Sequence, residues 1–90
     1  MKLLHWIYPE LPGPALLAQL TPSDVLLLRQ DGCYTLPLDW PTLPCRTLVL
    51  ATDMQSRGLK LPASWHAIND ADWVALAAQA NQVVLWPKLQ

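Results

Sequence analysis

The feature that most constrains this chain is a run of apolar residues, Val25 to Leu28, that stops at Arg29-Gln30-Asp31-Gly32. A strand this uniformly apolar needs both faces buried, as in the centre of a parallel sheet. The pattern has two echoes. Thr47 to Ala51 leads to Asp53 with Arg57-Gly58-Leu59, and Trp65 to Ile68 leads to Asn69-Asp70-Ala71-Asp72-Trp73-Val74. When strands run parallel, such stops line one edge of the sheet, and α/β proteins bind their ligands at that edge.

Leu3 to Tyr8 reads as a first strand, followed by turns at Pro9, Pro12 and Pro14. Pro14 suits the first turn of a helix running to Leu20, which Thr21-Pro22 stops. Tyr34 to Pro44 is poor in structure, because Pro37, Pro41 and Pro44 remove backbone donors; at most one helical turn is expected there. Asp53 is positioned to cap a short helical turn that ends at Gly58, where a left-handed residue is needed. Asn69 or Asp70 then caps a helix to about Ala80, with Trp73, Val74, Ala77 and Ala80 on one face. Gln82 to Trp86 is the last strand, closed by Pro87. This alternation predicts an α/β fold: a small three-layer parallel sheet of about five strands flanked by helices, in a single domain over residues 1–90.

Composition bears on partners. Apolar residues make up 52% of the chain and charged residues 14%, with five tryptophans and no phenylalanine. A domain of this length buries only about 60–65% of the surface its unfolded chain exposes. Some apolar surface is therefore expected to meet a partner. The net charge is −1 and the six Lys and Arg are scattered, which argues against direct, tight nucleic-acid binding. No apolar run approaches membrane-spanning length, and Met1 to Trp6 is too short and too polar for a signal peptide. The two cysteines make no disulfide framework, so a cytoplasmic setting with reduced thiols is expected.

Catalytic signals are weak. Asp31 reads as an acceptor of backbone N–H bonds in a tight turn, with Gly32 taking a positive φ. Arg57 lies four residues beyond Asp53 and has two candidate partners, Asp53 itself or Asp31 across the rim. Cys33 is the one candidate nucleophile: it follows Gly32 at the rim, and Arg57 could lower its pKa, but with no C-x-x-C pair the better reading is a small buried or half-buried residue. Cys45 precedes a strand and reads as core. His5 and His66 stand alone, without ligand spacing for a metal. There is no phosphate loop and no G-x-S-x-G turn, so no cofactor is expected and an enzyme active site is absent or incomplete.

Taken together, the three stops resemble the DsrH/TusB family. The shared features are a strand followed by Asp-Gly, here Leu26 to Tyr34, and a strand followed by Asp53 with Arg57-Gly58-Leu59. An aromatic-Val segment after an Asp, here Asp70 to Leu76, and a closing Trp86 complete the set, while Leu4-His5 matches the family's opening. The resemblance spans nearly the whole chain. It implies a DsrEFH-like fold and a non-catalytic subunit of a TusBCD-like sulfur-relay complex, with TusC-like and TusD-like sister subunits in a two-fold hexamer. In that relay a persulfide passes from a cysteine desulfurase, through carriers, to the enzyme that 2-thiolates the tRNA wobble uridine. The resemblance places the sulfur-bearing cysteine in the TusD-type sister.

Rim residues Asp31, Gly32, Asp53, Arg57, Gly58 and Asp70 are then structural, and Trp73 and Trp86 are the interface candidates. The chain departs from the family in two places. Thr35 to Pro44 is proline-rich and lacks the second helix, and the first helix carries Leu16 and Leu17 where some sulfur-oxidiser members have a cysteine. Cys33 stands at a position usually aliphatic in the family. Two alternatives remain: a persulfide carrier acting through Cys33, or a DsrH-like subunit in dissimilatory sulfur oxidation.

Overall fold

The apolar run Val25–Leu28 occupies the middle of the sheet, where its burial on both faces requires it to be. The computed structural model describes residues 1–86; Pro87, expected to close the last strand, lies outside the described residues. Five strands, β1 (Lys2–Trp6), β2 (Val25–Leu28), β3 (Arg46–Leu50), β4 (His66–Ile68) and β5 (Gln82–Leu85), lie in the order β4-β3-β2-β1-β5. Every pairing is parallel, with Leu4 opposite Leu26 and Val84, and Leu27 opposite Leu48. Leu26, Leu27 and Leu28 are each 0% exposed.

Three helices, α1 (Pro14–Leu17), α2 (Ala51–Ser56) and α3 (Asp70–Gln79), accompany the sheet together with a 3₁₀ helix, Gln30–Thr35. The steps from β1 through β4 all cross the sheet in one direction. Their connections pack on one face, where Leu16, Cys33, Leu36 and Met54 join Leu4, Trp6, Leu26, Leu28 and Val49. The return from β4 to β5 runs the other way, so a crossover of the same hand puts α3 on the opposite face. There Leu76 meets Leu3, Val25, Leu27 and Leu48, with Trp73, Ala77 and Ala80 packed alongside.

Local expectations hold unevenly. Helix α1 ends at Leu17 rather than Leu20, and it starts from Gly13 without a side-chain cap. Tighter turn bonds carry the chain onward, from Gln19 to Leu16 and from Leu20 to Leu17. Beyond it, buried Asp24 accepts from the Thr21 amide at 2.9 Å. Burial pulls its pKa up, but the Thr21 bonds and nearby Lys2 outweigh it and hold the carboxyl below its usual range.

The proline-rich tract does lack a second helix, and side chains fill the space instead. Thr35, 0% exposed, donates to the Gly32 carbonyl at 2.6 Å, and the Trp40 indole donates to the Thr35 carbonyl at 2.8 Å. The Trp40 ring then meets buried Trp65 edge-on at 5.2 Å.

Candidate functional site

The carboxyl ends of the strands carry two separate constellations. The first joins the 3₁₀ helix to α2. The chain leaves β2 through Gln30, whose φ is +50°, and this conformation is held by Asp53, which accepts the Gln30 amide at 2.8 Å. Arg57 donates through Nη2 to Asp31 at 3.1 Å and through Nη1 to the Asp53 carbonyl at 3.1 Å, and its guanidinium lies 5.7 Å from the Tyr34 ring centre. Arg57 thus engages both of its candidate partners, one by side chain and one by backbone.

This geometry corrects three expectations. Asp31 does not accept backbone bonds in its turn; its carboxylate is 59% exposed and pairs with Arg57. Gly32 does not take the positive φ; Gln30 does, because the 3₁₀ helix begins there. Gly32 is required for a different reason, since a Cβ at that position would run into the Trp6 carbonyl oxygen and stand 2.8 Å from its carbon. Asp53 does not cap α2, which starts at Ala51 without a side-chain cap. Lying in the first turn, it spends its carboxylate on Gln30 instead. Gly58 does have the left-handed φ, +65°, that ends α2.

Cys33 lies beneath this lattice rather than at the surface. It is 0% exposed, because the 3₁₀ helix folds its side chain into the core beside Leu36 and Met54. Burial foremost, then the neighbouring Asp53 carboxylate, push its thiol up to about 11 against the opposing pull of Arg57. Cys45 is half-buried against the same core, and burial raises its pKa too.

The α3 end of the rim is a local device. Asn69 caps α3, accepting the Asp72 amide at 2.7 Å, while Asp70 opens the helix and accepts from the Thr52 hydroxyl at 3.3 Å. Trp86 is not available as an interface residue. It is 3% exposed and packs edge-on to Trp6 at 6.3 Å, held by its amide bond to the His5 carbonyl.

The second constellation is a groove of about 500 Å³ between α3 and β5, lined by His5, Arg29, Trp73, Val74, Ala77, Val83 and Leu85. Val74 leaves the face it was expected to share with Ala77 and is 67% exposed at the groove's lip. Arg29, the residue after β2, stacks its guanidinium 3.9 Å from the Trp73 ring centre and donates through Nη1 to His5 Nδ1 at 3.3 Å. His5 is 4% exposed, and burial, then the Arg29 charge, lowers its pKa to about 4. Its ring is therefore neutral, with the remaining proton on Nε2. Sequence reasoning offered Trp73 only as an interface candidate and missed the groove it shares with His5 and Arg29. The available signal was a cation ending an otherwise apolar central strand.

Among the described residues, no three His, Cys, Asp or Glu side chains gather to hold a metal, and no helix is long and apolar enough to cross a membrane. No known family model matches the chain, and no curated protein matches it in sequence.

Proposed function

We propose that this chain is a non-catalytic, TusB-like subunit of a cytoplasmic sulfur-relay complex. It assembles with TusC-like and TusD-like chains and supports 2-thiolation of the tRNA wobble uridine. The family part of the reading is supported by the order and spacing of the Asp-Gly, Asp/Arg-Gly-Leu and Asp/Trp-Val motifs on a parallel five-stranded sheet.

The burial of Cys33 carries the non-catalytic part. A carrier must offer a thiolate to an incoming persulfide. Here the thiol is inaccessible and its pKa sits at about 11, so little thiolate exists at neutral pH. The cation that could have activated it, Arg57, is engaged by Asp31 and the Asp53 carbonyl. Assembly draws support from an apolar patch on the α2 side of the sheet. Tyr34, Leu38 and Leu61 are exposed there, and Pro37, Gly58, Leu59, Lys60, Leu61 and Pro62 line a shallow groove, apolar but for the lysine.

The test is nucleoside analysis of bulk tRNA from cells lacking the gene. The proposal expects 2-thiouridine to fall and to return with the wild-type chain. Unchanged thiolation in the deletion strain would refute it.

A further inference from the structure

We propose that the groove between α3 and β5 binds a small amphipathic anion, a medium-chain carboxylate whose head meets Arg29 and whose tail lies between Val74, Ala77, Val83 and Leu85. This inference is independent of the sulfur-relay reading and concerns the opposite face of the sheet from Tyr34, Leu38 and Leu61.

The head end rests on the state of Arg29. Arg29 is half-buried, and its Nε is buried without a hydrogen-bond partner. Among the described residues, no carboxylate lies within ion-pair distance of it. A cation taken partly out of water without a counter-ion is costly, and a bound carboxylate removes that cost while gaining charge-assisted hydrogen bonds. Trp73 and His5 fix the guanidinium in place, at 3.9 and 3.3 Å, so the donor is oriented before anything binds. His5 is neutral and has committed Nδ1 to Arg29, so among the described residues lining the groove Arg29 supplies the one positive charge. On α3, Asp70 accepts from Thr52, and neither it nor Asp72 makes an ion pair with Arg29.

The tail end is apolar and open. Val74, Val83 and Leu85 are 67%, 51% and 57% exposed, an unusual display for a central helix turn and an adjoining strand. Among the described residues, one ten-residue helix covers this face, and it leaves Val83 and Leu85 of β5 exposed. The groove's volume of about 500 Å³ falls in the range that small ligands occupy. Its charged end sits at the carboxyl ends of β1 and β2, the side on which open α/β sheets hold ligands. Among the described residues, one cation at one end of an apolar channel matches one anionic head on one apolar tail.

Calorimetric titration of the full chain with octanoate, octanol and octylamine tests this directly, with the Trp73 indole and His5 ring resonances reporting location. Octanoate should saturate a single site and move both resonances. Octanol, lacking the charge, should bind about tenfold more weakly, and octylamine more weakly still. Arg29→Gln should bring octanoate down to the octanol level, whereas Leu85→Gln should weaken both ligands in parallel and keep their ranking. Equal binding of octanoate and octanol to the wild-type chain overturns the proposal, and that comparison needs no variant to fold. Absence of saturation with octanoate overturns it too, including the case in which this face receives only a protein partner.

Discussion

At the scale of single residues, Gly32 and His5 are where small changes have the largest physical consequences. A methyl group at Gly32 would meet backbone atoms of Trp6, which cannot swing aside as a side-chain tip could. Gly32→Ala should therefore destabilise the fold by about 1–3 kcal/mol, the range for overpacking a filled core, measured by urea unfolding. An unchanged midpoint would contradict the close approach.

His5 makes stability depend on pH. Its pKa is about 4 in the folded chain against an ordinary 6.5. Between those values the unfolded chain holds more protons, so the contribution is full above about pH 6.5 and is lost as pH falls toward 4. His5→Gln, which cannot titrate, should flatten the stability profile across that window relative to wild type. A parallel profile would show that His5 is not held neutral. Neither property was visible in sequence. Asp31-Gly32 reads as a turn with a left-handed glycine, and the left-handed residue proves to be Gln30, fixed by a carboxylate 23 positions away.

At the scale of elements, the join between the 3₁₀ helix and α2 depends on two acids of unequal weight. Asp53 holds a backbone amide in a strained segment, whereas Asp31 makes an exposed ion pair with Arg57. Asp53→Ala should cost about 1–2 kcal/mol, and Asp31→Ala less than about 1 kcal/mol, as surface pairs do. Thermal unfolding of the two variants side by side checks the order, and a larger loss for Asp31→Ala would reverse the assignment of roles.

The strands were the most legible elements, because Val25–Leu28 and Leu48–Leu50 can be apolar throughout only with both faces covered. The proline-rich tract was legible as the absence of a helix. What replaces that helix was not, since the Thr35–Trp40–Trp65 stack joins side chains from distant positions. For Cys33 the sequence already favoured a small buried or half-buried residue over a reactive thiol, and a 3₁₀ helix that turns the side chain inward is what buries it.

At the scale of the whole molecule, the tryptophan content pointed to a partner surface, and most of it went elsewhere. Trp6, Trp65 and Trp86 are 2–3% exposed and are built into the core. The surplus apolar surface is made of smaller groups in two places: the α2-side patch and the groove between α3 and β5. The groove draws on β1, β2, α3 and β5, so no local pattern announced it beyond Arg29 itself. Both cysteines are built into packing, one fully and one in part.

The central claim is that this chain supports sulfur transfer without carrying sulfur. The most direct test is the tRNA 2-thiouridine level in cells whose only copy of the gene encodes Cys33→Ser together with Cys45→Ala, with assembly checked by the size of the co-purified complex. The account predicts near wild-type thiolation from an intact complex. Loss of thiolation while the complex still assembles would make this chain a carrier and contradict the account.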